Sequence, residues 1–301
     1  MSGFARYLRD PGRALRKWRW RRLHRGPRHD VTVDSWNGRL TFDSRDRLIG
    51  KYLWVDRAYE PRTIASAMAA LEQGGWLRRE GRGTLVDAGA NIGMITTALL
   101  GHGWFERALC VEPSPDNLRL LRLNLAQNGL ESRARIAAVA LAGAPGQLEF
   151  ELSDTNAGDN RLRASGTGGA PPGAFGEEGR RAIRVPVETL DRLLAAAAIP
   201  PSDVRLLWMD IQGFEGKSFA GAAGLLGAGA PVVMEFWPYG LARAGTPRDE
   251  FLAIAARHFT RAYHLRDEGP EPIALASLGA LWDSLDRPNR MAQILLGGAP
   301  Q

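Results

Sequence analysis

The chain has 301 residues with an apolar fraction of 45% and a net charge of +6, a composition typical of a globular protein. No apolar run approaches the ~20 residues of a membrane-spanning helix, and no apolar signal segment follows the first basic residues. The single cysteine, Cys110, cannot form a disulfide within the chain, so we expect a reduced, cytoplasmic protein.

The positive charge is concentrated in residues 1–30, which we call the basic arm. Residues 1–28 carry ten basic side chains and one acidic side chain, whereas the rest of the chain has a net charge of −3. Trp18 and Trp20 lie among these cations. Arginines interleaved with aromatic residues suit an anionic membrane surface, which would place the protein at the inner membrane face. The phosphate backbone of a nucleic acid and a solvated, partly helical tail are the alternatives.

The segment 31–80 is predicted to form an extension made of a hairpin and a helix. Val31–Val33 and Leu40–Phe42 alternate as short strands do, and Asn37-Gly38 between them is a typical hairpin turn. The helix should begin at Pro61, because proline is favoured at a first helical position, and should end at the following Gly-Gly pair. The rest of the chain, 81–301, is then the main domain.

The most informative stretch is the glycine loop, Val86–Gly93, which follows a β-type run and precedes the helix-like run Met94–Leu100. Gly89 and Gly93 lack a Cβ atom, so the backbone can turn tightly and approach a ligand. The N-terminus of the helix offers unpaired N–H groups to that ligand. Glu112 closes the next β-type run, 19 residues after Gly93, where a carboxylate can bind ribose hydroxyls. The loop and this acid together predict a nucleoside-type cofactor.

Predicted strands and helices alternate over the rest of the chain. Residues 153–183 interrupt the pattern, because they are rich in Gly, Pro and Ser and cannot form a core; we expect a mobile lid or a disordered insertion. The predicted helices cover 91–101, 114–128, 188–198, 215–227 and 248–258. The predicted strands cover Arg135–Leu141, Gln147–Leu152, Val185–Val187, Val204–Met209, Val232–Phe236, Arg261–Leu265 and Gln293–Leu296.

This alternation predicts an α/β fold with a mainly parallel sheet that helices cover on both faces. Ligands of such sheets bind outside the carboxyl ends of the strands. Asp87, Glu112, Asp210 and Glu235 all fall at those predicted ends. The block that begins with Asp210 adds Glu215, which is either a second site residue or an acid stabilised near a helix N-terminus.

Five blocks in this order resemble the FkbM-type methyltransferases: Val86–Gly93, Glu112-Pro113, Val187–Asp191, Met209–Gly216 and Met234–Pro238. The most specific of them is the Asp-x-x-Gly-x-Glu block, together with the Leu-Asp that precedes it. Membership implies a Rossmann-like class I fold with a seven-stranded sheet and S-adenosylmethionine as cofactor. It also implies O-methylation, usually of a hydroxyl on a carbohydrate, a glycolipid or a natural product.

The resemblance assigns roles to individual residues. The positions matched to cofactor binding are Asp87, Gly89, Asn91, Gly93 and Glu112. Asp210 and Glu215 match the acidic pair beside the substrate, and Gln212 stands between them where relatives often carry an acid. Many class I enzymes contact adenine with a polar residue at the end of the third strand. Here that region is Ala137–Ala140, so we expect adenine to rest on backbone and apolar contacts.

Methyl transfer to a hydroxyl benefits from alignment and from a general base. Among the strand-end groups we predict Asp210 for that role, with Glu235 as the second choice, since the five histidines lie outside the matched blocks. Asp210, Glu215 and Glu235 would form an oxygen-rich cluster of the kind that Mg²⁺ or Ca²⁺ prefers. No fourth ligand is evident, and we predict no metal site.

Two other functions remain as alternatives. A nucleic-acid methyltransferase would use the basic arm on phosphates. However, Met234–Pro238 is not the Asn/Asp-Pro-Pro-aromatic block of exocyclic-amine methylation, and Cys110 is not flanked as a C5-attacking nucleophile would be. A non-catalytic module with a cofactor-binding fold is the other alternative, and the intact glycine loop with its retained acids disfavours it.

Overall fold

The computed structural model describes residues 12–77, 83–153, 156–163, 179–285 and 287–298. The described strands are β1 (Asp30–Ser35), β2 (Gly38–Asp43), β3 (Thr84–Ala88), β4 (Arg107–Val111), β5 (Ala134–Ala137), β6 (Ala140–Leu141), β7 (Gly146–Leu152), β8 (Arg161–Leu162), β9 (Arg181–Glu188), β10 (Val204–Met209), β11 (Val232–Phe236), β12 (Arg261–Arg266), β13 (Gly269–Ile273) and β14 (Ala292–Gly297). The described α-helices are α1 (Arg13–Leu23), α2 (Ile49–Lys51), α3 (Pro61–Gly74), α4 (Met94–Gly101), α5 (Pro115–Gln127), α6 (Leu190–Ala196), α7 (Glu215–Phe219), α8 (Ala223–Gly227), α9 (Pro238–Arg243), α10 (Arg248–His258) and α11 (Leu278–Ser284).

A central sheet organises the described residues, with eight strands in the order β13-β12-β14-β11-β10-β3-β4-β5. The strands from β11 to β5 are parallel neighbours, whereas β14 runs antiparallel to both β11 and β12. The predicted α/β fold with a mainly parallel sheet is confirmed. The expected number of seven strands is wrong because β13 adds an edge strand. The sequence of β13 begins Gly-Pro-Glu-Pro, and two prolines argue against a strand in a sequence-based prediction. They are tolerated here because β13 lies at the edge of the sheet.

The sheet is covered on both faces because its central strands are apolar on both sides. Leu85 and Val86 are neighbours in β3 and are both fully buried, yet they belong to different hydrophobic clusters. One cluster lies under α3, α4 and α5, and the other lies under α6, α8, α10 and α11. None of the helices in the described residues is long and apolar enough to cross a membrane.

A second, four-stranded sheet lies beside the central one, in the order β6-β9-β7-β8. The single strand predicted over Arg135–Leu141 is wrong, because β5 belongs to the central sheet and β6 to the small one. The last pairing of β5 is the bond that the Glu112 N–H donates to the Ala137 carbonyl at 3.1 Å. After β5 the chain crosses to the small sheet as β6.

Part of the predicted insertion, 153–183, belongs to this small sheet. β8 lies within the insertion, and β9 begins two residues before its predicted end. The Ala157 N–H donates to Asp46 at 2.9 Å, which ties the turn over Ala157–Asp159 to the segment before α2. Residues 154–155 and 164–178 lie outside the described residues. The described part of the insertion is therefore not a separate loop but is built into the small sheet and bonded to the segment before α2.

Several predicted boundaries agree with the structure. The hairpin β1–β2, the helix α3 from Pro61, and the strands β10 and β11 have the expected positions. The helix predicted over 215–227 is instead two short helices, α7 and α8. Gly221 lies between them, and a Cβ atom there would be 2.7 Å from the Ala142 carbonyl oxygen, so the chain bends where it passes the small sheet.

Candidate active site

A cavity of about 1050 Å³ opens at the carboxyl ends of the parallel strands. It is lined by Asp87 near the end of β3, Glu112 after β4, Asp210 after β10 and Glu235 in β11, so the structure brings the four strand-end acids to one site. Its size is at the upper end of the roughly 300–1,000 Å³ found for small-molecule sites. The cavity therefore has room for a cofactor and an acceptor together.

The glycine loop is held against the end of β10. Gly89 has a φ of +83°, and a Cβ atom on it would lie 1.9 Å from the carbonyl oxygen of Asp210. The Asp210 N–H in turn donates to the Ala88 carbonyl at 2.9 Å. Only glycine fits this position, because both its backbone conformation and its neighbour exclude a side chain. The cofactor loop and the predicted general base are thus adjacent.

Asn91 and Gly93 have different places in the loop. Asn91 lines the cavity with a left-handed φ of +52°, and its N–H donates to Glu112 Oε2 at 2.9 Å. Gly93 is not part of the cavity lining. It precedes α4 with a φ of +90°, and a Cβ atom there would lie 2.8 Å from Leu121 Cδ1. Gly93 therefore shapes the loop by packing on α5 rather than by facing a ligand.

The two acids of this half of the cavity also hold the loop. Asp87 Oδ2 accepts from the Thr96 hydroxyl at 2.5 Å and from the Thr96 N–H at 3.2 Å. Glu112 Oε1 accepts from the Ser114 N–H at 2.8 Å. Burial raises the pKa of Asp87 to about 6 and that of Glu112 to about 7, although these hydrogen bonds oppose the shift.

Gln212 connects the two acids of the other half. Its Nε2 donates to Asp210 Oδ1 at 2.7 Å and to Glu235 Oε2 at 3.3 Å. Burial raises the pKa of both carboxyl groups, and the charge of Asp210 raises that of Glu235 further. Since the shorter hydrogen bond stabilises the Asp210 carboxylate, we infer that Asp210 ionises first while Glu235 keeps its proton.

Tyr59 and Glu60 also line this half of the cavity, and neither is predicted from the sequence. Glu60 has a left-handed φ of +47°, which is uncommon for a non-glycine residue, and it precedes α3. Burial and the charge of Asp210 raise its pKa to about 7, whereas a hydrogen bond with the Tyr59 side chain opposes the shift. The sequence carries no signal for either residue, because they precede a helix and do not follow a strand.

The structure does not bring Glu215 to the cavity. Its side chain is 1% exposed and is absent from the lining, and Oε1 accepts from the Ile211 N–H at 3.0 Å. The carboxylate thus closes the turn between β10 and α7 from behind. Glu215, which the sequence predicts beside the substrate, therefore lies behind the turn that carries Asp210 and Gln212 and does not line the cavity.

The cavity also has an apolar wall where the small sheet meets the central one. The residues of this wall are Val139, Ala140, Leu141, Phe150 and Leu162. It lies in the region that follows β5, where the sequence led us to expect apolar contacts for adenine. The turn over Ala157–Asp159, which Asp46 holds, lines the cavity as well.

We expect the free energy of unfolding of the ligand-free protein to fall as the pH rises from 5 to 8. Over this window folded Glu60 and Glu112, with pKa values of about 7, hold protons that the unfolded chain, with pKa values near 4.5, has released. The folded state binds more protons, so stability is greatest below the unfolded pKa and is lost as the pH passes the folded pKa.

Glu60→Gln should reduce this decline by about 1–3 kcal/mol, since one pKa unit corresponds to about 1.4 kcal/mol. Urea unfolding of both proteins at several pH values measures the difference. Glu250→Gln, at an exposed position, is the matched control and should leave the decline unchanged. A stability that rises between pH 5 and 8 would contradict the ionisation states described above.

A family model described as the methyltransferase FkbM domain matches residues 87–256. No curated protein matches the chain. Among solved structures, it is similar to the methyltransferase FkbM from Methylobacillus flagellatus KT, with 15% identity and a TM-score of 0.43 over 80% of this chain and 56% of that one. The chain thus spans only about half the length of that protein.

Two further solved structures are similar to the chain. M. jannaschii TYW2 in complex with AdoMet has 8% identity and a TM-score of 0.43, over 90% of this chain and 86% of that one. A SAM-dependent O-methyltransferase from Thermotoga maritima has 12% identity and a TM-score of 0.38, over 90% of this chain and 78% of that one.

Proposed function

Because the chain belongs to the FkbM methyltransferase family, with residues 87–256 matched, we propose that it methylates a hydroxyl group on a carbohydrate, a glycolipid or a natural product. Its cofactor is S-adenosylmethionine. The observation that carries the proposal is the group formed by Asp210, Gln212 and Glu235, which shares one cavity with the glycine loop.

The residues around the glycine loop fit the cofactor. S-adenosylmethionine supplies an electrophilic methyl group on a sulfonium. Asp87, Asn91 and Glu112 line the cavity and would hold its polar parts, and the apolar wall that begins at Val139 would take the adenine ring. Gly89 lets the loop lie directly against the end of β10, where any side chain would collide with the Asp210 carbonyl oxygen.

The acceptor half of the cavity fits a compound with several hydroxyl groups. Glu60, Asp210 and Glu235 offer carboxyl oxygens, which accept hydrogen bonds from hydroxyl groups. Tyr59 and Trp237 line the same cavity, where aromatic rings can contact the C–H groups of a sugar ring. A phosphate backbone would meet this acidic lining unfavourably, which disfavours nucleic-acid methylation.

We infer that Asp210 takes the proton of the acceptor hydroxyl. It is the carboxyl group that ionises first, and it lies beside the glycine loop, where the methyl group would be presented. Glu235, which keeps its proton, can donate a hydrogen bond to a neighbouring acceptor oxygen. Gln212 fixes the relative positions of the Asp210 and Glu235 side chains by donating a hydrogen bond to each. The acceptor hydroxyl is therefore aligned before its proton moves.

Labelled methyl transfer tests the proposed function directly. The purified protein and S-adenosylmethionine with a radioactive methyl group are incubated with glycan, glycolipid and nucleic-acid fractions. We expect label in a glycan or glycolipid fraction, and it should survive alkaline hydrolysis because a methyl ether is stable to base whereas a methyl ester is not. Label confined to nucleic acid would support the alternative function instead.

Asp87→Asn and Glu112→Gln should each weaken the binding of S-adenosylmethionine at least about fivefold. Asp87→Asn removes a carboxylate that accepts from Thr96 in α4, and Glu112→Gln removes one that accepts from the Asn91 N–H in the loop. A hydrogen bond to a charged group contributes about 1.5–3 kcal/mol. Titration calorimetry measures the affinity, and circular dichroism checks the fold. Asp249→Asn on the surface is the control. Unchanged affinity in both variants would contradict the cofactor assignment.

A further inference from the structure

The basic helix α1 is fixed on the body of the protein and does not extend freely into solvent. Trp20 on its inner face is 5% exposed and packs against Phe42, with ring centroids 6.2 Å apart. Arg16 Nε donates to the Val55 carbonyl at 2.8 Å, and Arg13 forms an ion pair with Asp56 at 2.6 Å. The solvated-tail alternative is therefore wrong for α1, whose outer face has one fixed direction.

That outer face is cationic and carries two exposed apolar side chains. Leu15 is 50% exposed and Trp18 is 48% exposed, and the Arg22 guanidinium lies 4.0 Å from the Trp18 ring centroid. The exposed cations of α1 and the residues just after it are Lys17, Arg19, Arg21, Arg22 and Arg25. The sequence from Arg13 to Arg25 contains no acidic residue.

The segment Arg45–Tyr52, next to α1, also exposes both cations and apolar side chains. Arg45, Arg47 and Lys51 are exposed, and they flank two exposed apolar side chains, Leu48 at 42% and Tyr52 at 44%. The two elements adjoin, because an added Cβ on Gly50 would lie 3.0 Å from the Trp20 ring. In addition to burial, the charges of Arg47 and Arg45 lower the pKa of His24 at the end of α1.

This surface reaches the opening of the cavity. Four residues of the cavity lining are exposed to solvent and therefore lie at its opening: Arg13, Leu48, Tyr52 and Met291. The acids of this rim are paired: Asp56 with Arg13, and Asp267 with Arg62 at 2.7 Å. The entrance thus carries exposed apolar side chains and paired charges, whereas carboxyl groups such as those of Glu60 and Glu235 line the interior.

We propose that α1 and Arg45–Tyr52 form a docking surface for an anionic lipid bilayer, with the mouth of the cavity turned toward it. Each cation near an anionic surface strengthens binding several-fold, and exposed tryptophan and tyrosine favour the membrane interface. An anionic bilayer interacts favourably with both the cations and the exposed apolar side chains of this surface. A nucleic acid backbone would interact favourably with the cations alone. Together with the proposed function, on which this step rests, the orientation makes the acceptor a lipid-linked hydroxyl compound.

Sedimentation of the full chain with vesicles tests the docking. We expect binding to vesicles of phosphatidylglycerol and phosphatidylcholine, weakening with salt, and little binding to phosphatidylcholine alone. The variant Lys17→Gln/Arg19→Gln/Arg21→Gln should bind about a hundredfold more weakly. The matched control, Arg107→Gln/Arg257→Gln/Arg287→Gln, removes three exposed charges outside the surface and should bind like the wild type.

The apolar contribution and the orientation have separate tests. Leu15→Ala/Trp18→Ala should weaken vesicle binding at least about tenfold, whereas Leu123→Ala, which removes an exposed leucine of α5, should not. For orientation, Tyr52→Cys and Leu123→Cys are labelled with an environment-sensitive dye. Cys110 is fully buried and should not react. Anionic vesicles should raise the fluorescence at position 52 and leave that at position 123 unchanged.

Three results would overturn the proposal: equal sedimentation with both vesicle types, equal losses in the two triple variants, or a dye response at position 123 instead of 52. Binding to duplex DNA but not to vesicles, with the same variants affected, would assign the surface to nucleic acid. Calorimetry with S-adenosylmethionine on each variant keeps the two proposals apart. A failure of docking leaves cofactor binding intact, whereas loss of cofactor binding by the wild type would point to the site itself.

Discussion

Replacing Asp210 by asparagine should lower the rate of methyl transfer by about 10²–10⁴-fold, the usual contribution of a general base. The affinity for S-adenosylmethionine should stay within about twofold of the wild-type value, because the Asp210 side chain contacts Gln212 and not the glycine loop. Single-turnover transfer of labelled methyl groups measures the rate, and calorimetry measures the affinity.

Two further variants are needed to interpret this result: Glu235→Gln as the comparison and Asp249→Asn as the control. Glu235→Gln preserves a hydrogen-bond donor at the position of the protonated acid, so its rate should fall less than that of Asp210→Asn. Asp249→Asn changes an exposed carboxylate with 93% of its side chain accessible and should have the wild-type rate. A wild-type rate for Asp210→Asn would remove this residue from the mechanism, and a larger loss for Glu235→Gln would exchange the two roles.

Gly89→Ala should destabilise the protein by about 2–5 kcal/mol and should abolish measurable binding of S-adenosylmethionine. An alanine at a φ of +83° costs about 1–2 kcal/mol, and crowding costs a further 1–3 kcal/mol, roughly. The crowding arises because the new methyl group would lie 1.9 Å from the Asp210 carbonyl oxygen. The loop must then move away from β10, which separates the cofactor half of the cavity from the acceptor half.

Gly129→Ala is the matched control for this prediction. Gly129 also has a left-handed φ, of +67°, but an added Cβ atom would meet nothing within 4 Å. It should cost only the conformational part, about 1–2 kcal/mol, and should leave the cofactor affinity unchanged. Urea unfolding and calorimetry compare the two variants. Equal losses would show that the conformation of Gly89 matters and its contact with β10 does not.

The docked position of α1 changes how the basic arm should be tested. From sequence alone, deletion of residues 1–28 is the natural experiment. The structure shows that this deletion would also remove Trp20 and uncover Phe42 and the apolar side chains around it. A loss of vesicle binding in the truncated protein would then reflect unfolding as readily as the loss of a surface. Point substitutions on the outer face of α1 avoid this ambiguity.

The parts of the fold that local pattern determines could be predicted from the sequence. β10 and β11 are mostly apolar runs, α3 has a proline at its start and glycines at its end, and the hairpin has Asn37-Gly38 where its turn enters β2. Each of these signals lies within the element itself. β13 and the division between β5 and β6 depend instead on which strand lies alongside, so the local sequence does not reveal them.

The same division applies to the candidate site. The sequence by itself determined that Asp87, Glu112, Asp210 and Glu235 would meet, because the ends of parallel strands lie along one edge of a sheet. Only the tertiary structure decided that Glu215 turns inward and that Glu60 and Tyr59 enter the cavity. Those positions follow from how α7 and the segment before α3 pack against the sheet. Contacts between residues far apart in the chain set the direction of these side chains, and the periodicity of the sequence does not predict such contacts.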